Sequence, residues 1–249
     1  MGNLIIEPIP CLRDNYAYLI YDAEGRDAYL VDPSEPGPPQ ADLAAKKLTL
    51  RGILATHHHP DHVDGIPGLT ERWRDELRFV AGFGGDRGRI PGQTVFIDAP
   101  GDRFVATEVN VAGRTLVVRH IPGHTRGAMA LGLSDGGEIP TDVFTGDTLF
   151  AAGCGRLFEG TPAQMFHSLA ALAALPETTR LWFGHEYTAS NLRFAATVEP
   201  DNPAIPERLT RLPACTTPTT VALERATNPF VRAPTIDVLA ARRAAKDRF

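Results

Sequence analysis

Cysteine is scarce in this chain of 249 residues: Cys11, Cys154 and Cys215 are odd in number and far apart, which excludes a disulfide framework. No apolar run approaches the roughly 18 residues of a membrane span. The start, Met1 to Glu7, lacks a charged segment followed by an apolar one, so no secretory signal is read there. Lysine and arginine form no stripe, and the net charge is −5, so nucleic acid is not an expected partner. These absences leave a soluble chain with no membrane or nucleic-acid partner, expected in the cytoplasm. Apolar residues make up 43% of it, an ordinary share for a protein with a packed core.

The first two thirds alternate β-like runs with loops and helical patterns, the signature of an α/β body. Strands are expected at Leu4–Ile9, Ala17–Tyr21, Ala28–Val31, Gly52–Thr56, Arg78–Ala81, Thr94–Ile97, Thr115–Ile121, Met129–Leu133, Val143–Thr145 and Arg180–Phe183. Helices are expected at Gln40–Leu48 and Pro162–Leu175. In the second, Thr161 is placed to cap, Pro162 takes the first position and Met165, Leu169, Leu172 and Leu175 line one face. After His185 the strand signals stop. Asn191–Val198, Pro206–Leu212, Thr219–Ala226 and Thr235–Arg248 read as helices between proline-bearing joints. The expected division is therefore an α/β domain, 1–185, and a small helical domain, 186–249.

The densest chemistry lies in Thr56-His57-His58-His59-Pro60-Asp61-His62, directly after an apolar strand. Loops at the carboxyl ends of strands are where α/β proteins place their sites. Packing does not account for four histidines and an aspartate in six residues, because burying them unpaired costs several kcal/mol. Metal ligation does, since imidazole suits zinc, iron and nickel and carboxylate suits harder ions. Three further segments end β-like runs in the same manner: His120-Ile121-Pro122-Gly123-His124, Thr145-Gly146-Asp147-Thr148 and Gly184-His185-Glu186-Tyr187. Each sets a metal-capable side chain beside a glycine, where the backbone can turn sharply. The four strand ends could converge on one edge of a sheet.

The His-x-His-x-Asp-His run with later His, Asp and His at strand ends resembles the metallo-β-lactamase superfamily. Further pieces narrow the resemblance to glyoxalase II, the hydroxyacylglutathione hydrolase family: Ile9–Tyr16, Phe144–Phe150, Gly153-Cys154-Gly155-Arg156, Gly184-His185-Glu186-Tyr187-Thr188, Asn228-Pro229-Phe230 and Lys246-Asp247-Arg248-Phe249. It spans nearly the whole chain and implies an αββα sandwich with a small C-terminal helical domain. It implies His57, His59 and His124 on one divalent ion, Asp61, His62 and His185 on a second, and Asp147 bridging. Zinc is the first expectation, with iron or manganese compatible. His58 is no ligand in that scheme and is expected to point away, toward supporting groups or the surface.

The implied reaction is hydrolysis of S-D-lactoylglutathione to D-lactate and glutathione, the second step of methylglyoxal detoxification, by a monomer. Two ions about 3.5–4 Å apart would lower the pKa of a water from about 15.7 towards about 7. Asp61 or Asp147 would orient the nucleophile or receive its proton. A thiol leaving group, with a pKa of about 8.5, needs no strong general acid. The family's substrate-binding positions fall on Arg156, Phe158, Tyr187, Arg243 and Lys246. The last two, three residues apart, share a helix face and could clamp one anion. Some relatives carry lysine where Arg156 stands and tyrosine where Phe158 stands, so one hydroxyl is missing here. Cys154 is expected as a small buried residue. Rival readings are a mononuclear-iron persulfide dioxygenase, another hydrolase of the same fold, or a metal-binding module without activity.

Overall fold

The computed structural model describes residues 3–249; Met1 and Gly2, part of the start read as leaderless, lie outside them. The first half builds one sheet from β1 (Leu4–Cys11), β2 (Asn15–Asp22), β3 (Asp27–Val31), β4 (Thr49–Leu54), β5 (Phe79–Phe83) and β6 (Val95–Ile97), ordered as they occur. β1 to β3 pair antiparallel and β3 to β6 parallel. Helices α1 (Gly37–Lys46), α2 (Pro60–Val63) and α3 (Ile66–Arg72) fall between these strands.

A second sheet uses β7 (Val105–Val111), β8 (Arg114–His120), β9 (Met129–Ser134) and β10 (Asp142–Gly146). A short hairpin, β11 (Leu149–Phe150) and β12 (Gly153–Cys154), follows. β13 (Arg180–Phe183) and β14 (Thr219–Thr220) complete the sheet in the order β14-β13-β10-β9-β8-β7. The remaining helices are α4 (Pro162–Ala173), α5 (Thr188–Val198), α6 (Ala204–Thr210), α7 (Val221–Thr227) and α8 (Ile236–Lys246). Among the described residues no helix is long and apolar enough to cross a membrane.

Three apolar layers hold the two sheets and their helices. Between the sheets, Tyr18, Ile20, Val31 and Leu54 meet Leu116, Leu131, Phe144 and Trp182. Outside the first sheet, Leu19, Leu30, Ile53 and Val80 pack on Leu43, Ile66 and Leu69 of α1 and α3. Outside the second, Val117, Val143 and Leu181 pack on Met165, Leu169 and Leu172 of α4 and on Leu239 of α8. This is the αββα sandwich. β4 is covered on both faces, which is why Gly-Ile-Leu-Ala reads as a continuous apolar run and not as an alternating one. Truncating a side chain such as Leu54 to alanine would cost about 2–5 kcal/mol.

Helix α4 begins as its sequence predicts: Thr161 and Gln164 form a reciprocal capping box with Pro162 at the first turn. Two expectations need correction. Strand signals do not stop at His185, because β14 returns to pair with Arg180 and Leu181 of β13. A strand of two residues is too short to show a period, so Thr219 and Thr220 read as the start of a helix. β7 also escaped the expected strands, although its side chains alternate half-buried and exposed.

Candidate metal centre

Backbone hydrogen bonds join the two sheets at the edge where these strands end. Met129 N donates to Thr56 O at 2.9 Å, Tyr16 N to Gly184 O at 2.8 Å and Glu186 N to Asp14 O at 2.8 Å. The ends of β4, β10 and β13 are thereby drawn together with the loop after β8. Two glycines are required here. Gly146 has φ +49, and a Cβ on it would strike Thr56 Oγ1. A Cβ on Gly184 would strike Asp147 Oδ1 and reach His62. Pro60 opens α2 at the first turn, where its missing N–H costs nothing, and so lifts Asp61 and His62 off the strand end.

All seven expected donors meet. His57, His59 and His124 form one group whose ligating atoms lie within 4.8 Å of one another, and Asp61, His62 and His185 form another. His124 Nε2 lies 2.9 Å from His59 Nδ1. Asp147 stands between the groups: Oδ2 is 3.5 Å from His124 Nε2 and 3.3 Å from His185 Nε2, and Oδ1 is 3.3 Å from His62 Nε2. His185 Nε2 is also 3.3 Å from Asp61 Oδ2.

Three atoms of the cluster, His57 Nε2, His62 Nε2 and Asp147 Oδ1, are buried without a hydrogen-bond partner. Each such atom costs about 1–3 kcal/mol unless something else satisfies it. Mixed imidazole and carboxylate donors are the set that zinc, iron or manganese accepts, so the residues fit divalent cations.

The local electrostatics follow from burial and from Asp147. Burial holds His57 well below the ordinary imidazole value and brings His59 down to about 4, which favours the neutral form. Burial also works against charge on His62 and His185, but the Asp147 carboxylate outweighs it. His62 is raised well above its ordinary value, and His185 to about 10. Asp147 is held well below the carboxylate range: burial opposes this, and the charges of His62 and His185 overcome it. Asp61 is lowered chiefly by its hydrogen bond with His185. Ligation needs neutral imidazole, so metal binding at this site competes with protonation of His62 and His185.

A cleft of about 1020 Å³ opens above the cluster, with His59, Asp61, His124, Asp147 and His185 on its floor. All five positions expected to bind substrate line it. Phe158 sets its ring edge against His59 and His124, at 5.5 and 5.3 Å between centroids. Tyr187 stacks on His185 at 4.9 Å and 4°, and burial pushes its phenol up to about 12.

The clamp on α8 is less simple than its spacing implies. Arg243 is buried; it donates to Cys154 O at 2.6 Å and to Asp247 Oδ1 at 3.1 Å. Lys246 donates to Ser190 O and Oγ at 3.2 and 2.9 Å. Asp247 also pairs with Arg156 at 3.5 Å, so one carboxylate joins two of the expected anion-binding cations. Cys154 is buried, and burial raises its thiol to about 11.

The metallo-β-lactamase superfamily matches residues 12–185, and the hydroxyacylglutathione hydrolase C-terminus matches residues 186–249. A hydroxyacylglutathione hydrolase of Synechococcus sp. is 46% identical over 235 residues, which cover 91% of this chain and 88% of that protein. One from Pseudomonas putida is 47% identical over 91% of this chain and 85% of its own length. The chain belongs to the hydroxyacylglutathione hydrolase family of the metallo-β-lactamase superfamily. Among solved structures, ETHE1 from Myxococcus xanthus superposes with a TM-score of 0.70 at 27% identity, covering 96% of this chain and 90% of that one. TTHA1623 in a di-iron-bound form gives 0.58 at 27% identity, covering 91% and 99%.

The supporting residues of this family member were not assigned from sequence. Asp32 follows β3 with φ +49 and accepts from Thr56 N at 2.8 Å and Thr56 Oγ1 at 2.5 Å. Its Oδ2 also meets His62 Nδ1 at 3.0 Å, which turns Nε2 of that ring toward Asp147. Asp32 groups with His57 and His62 as potential donors, but its oxygens are already engaged. Asp14 orients His185 through Nδ1 at 2.9 Å, and Asn15 Nδ2 donates to Asp61 O at 2.9 Å and Asp61 Oδ2 at 3.2 Å. One signal was available for Asp32, a lone carboxylate at the end of a buried strand before Pro33. His58 belongs to neither donor group and lines the cleft beside them, but it is not a surface residue: it is 8% exposed.

Proposed function

We propose that this chain hydrolyses S-D-lactoylglutathione, and related S-2-hydroxyacylglutathiones, to a 2-hydroxy acid and glutathione. His57, His59 and His124 would hold one divalent ion, Asp61, His62 and His185 a second, with Asp147 between them. Zinc is the first candidate for both, and iron or manganese would suit the same donors. The carrying observation is the juxtaposition of two donor groups joined at Asp147 with a cleft wall that carries Arg156, Arg243 and Lys246. Bound ions would supply Lewis acidity, bringing the pKa of a water towards about 7 and stabilising a developing oxyanion.

The protein's residues would do the rest. Asp61, fastened by Asn15 and open to the cleft, or Asp147 would orient the attacking water and relay its proton to solvent through the open cleft. Water adds at the thioester carbon, the C–S bond breaks, and the sulfur leaves as thiolate without a dedicated acid, its pKa being about 8.5. Arg156, Arg243 and Lys246 would bind the carboxylates of the glutathione part. Phe158 and Tyr187 would cover its apolar atoms while they brace the ligand histidines. In this reading residues 1–185 are the catalytic domain and 186–249 the helical glutathione-binding domain of a cytoplasmic monomer, acting in methylglyoxal detoxification.

The experiment is hydrolysis of S-D-lactoylglutathione by purified protein, with metal content measured on the same sample. Turnover with two ions per chain is expected, and no turnover with both bound would overturn the reading. Oxygen uptake with glutathione persulfide would instead favour the dioxygenase, which would not require the full donor group of Asp61, His62 and His185.

A further inference from the structure

His58 is the member of the histidine run without a place among the donors. Its side chain is 7% exposed, and both ring nitrogens face carboxylates: Nδ1 is 3.3 Å from Asp86 Oδ2 and Nε2 is 3.4 Å from Glu159 Oε1. Arg89 bonds the same two acids, Asp86 at 3.4 Å and Glu159 at 2.6 Å. Glu159 further accepts from Arg126 N at 2.9 Å. Acids and bases thus alternate in one partly buried network, outside both donor groups.

The segment that Glu159 belongs to explains what the network holds. Residues 155–161 run between β12 and α4 without regular structure and carry Arg156 and Phe158 into the cleft. Three of their backbone anchors converge on His124: Phe158 N and Glu159 N donate to His124 O at 3.2 and 3.3 Å, and His124 Nδ1 meets Arg156 O at 2.8 Å. The Glu159 side chain adds ties to Arg89, Arg126 and His58, and the Glu159 carbonyl accepts from Arg126 Nε at 3.2 Å. A buried charge is retained only when paired, so removing one partner is costly and shifts the others. A ligand turn needs no imidazole at position 58 to complete either donor group; at that position the ring reaches Glu159.

We propose that His58 and Glu159 are positioning residues: their contact fixes the Arg156–Glu159 segment against the ligand loop and so sets where Arg156 and Phe158 meet the thiol part of the substrate. The substrate half of this statement rests on the hydrolase reading above; the mechanical half does not.

The test uses the metal-loaded full-length chain with Glu159→Gln, His58→Asn and the double variant. Each single change should raise KM about tenfold and weaken inhibition by glutathione in parallel, with kcat within about twofold, as expected when binding and not chemistry is disturbed. The double variant should be no worse than Glu159→Gln alone, because residues joined in one contact do not act additively. Metal content should stay at the wild-type level in Glu159→Gln, and hydrogen exchange at residues 156–159 should accelerate while that of β4 and β10 does not. Additive losses, metal loss in Glu159→Gln, or unchanged KM and exchange would each overturn the proposal. A wild-type protein that does not hydrolyse the thioester sinks only the hydrolase reading, and the exchange comparison then decides the positioning role of His58 and Glu159 on its own.

Discussion

The floor and the wall of the cleft are made of different material. Floor donors stand at strand ends or in the turns just after them; His57 and His62 are each 1% exposed, and each imidazole but His59 is keyed by a further hydrogen bond. The wall comes from a loop and a terminal helix far apart in sequence, with the side chain of Arg156 65% exposed. A floor built into the scaffold fixes distances between donors, which a binuclear centre needs. A wall of long side chains, with Arg156 well exposed, can accommodate a flexible peptide, and its disturbance should alter affinity before chemistry.

The comparison can be broken hardest at Asp147, which touches both donor groups. Asp147→Ala should lower kcat/KM by about a thousandfold or more, since it removes a shared donor and its charge together. Kinetics with metal analysis would check this, and a variant that kept both ions and most of its rate would erase the distinction. Next is Asp32→Asn, which touches no substrate. It should cost about 10–100-fold in metal affinity or activity, the usual range for a residue that orients a ligand imidazole. A metal titration would measure it.

On the wall, Arg243→Ala combined with Lys246→Ala should raise KM about tenfold or more with a smaller change in kcat. Because Arg243 is buried and supports Cys154 O, thermal unfolding of the same variant should fall as well. An unchanged KM would remove α8 from the site. The smallest effect is a pH dependence. Burial, followed by the neighbouring Arg243, brings Lys246 down to about 8. A lysine is charged below its pKa, so its pull on a carboxylate is full below pH 8 and fades as pH rises through it. KM should climb a few-fold above pH 8 while kcat stays level, and Lys246→Arg should remove the rise because guanidinium stays charged. A flat KM profile in the wild type would show that Lys246 does not carry substrate charge.

The floor was legible in the sequence because its donors are of rare type, crowded into six residues and repeated after strands. Each of these features survives without coordinates. Asp32, Asp14 and Asn15 were harder: each is a single polar residue whose role depends on which ring it reaches across the fold. The wall was legible only through family resemblance, and even so the resemblance left out that Asp247 sits on both Arg156 and Arg243. In the fold, long apolar or strongly periodic elements such as β4 and α4 were readable. β14 was not, because two threonines carry no period, whereas β7 displays its alternation openly. His58 shows the same limit from the other side, since no spacing rule connects it with Glu159, a hundred and one positions later.

The most direct measurement is the rate of S-D-lactoylglutathione hydrolysis as metal-free protein is titrated with zinc, with bound ions per chain counted at every point. The rate should keep rising until two ions are bound, because the donor groups meet at Asp147 and neither alone completes the floor. Full activity at one ion per chain, with no further gain at two, would contradict the account.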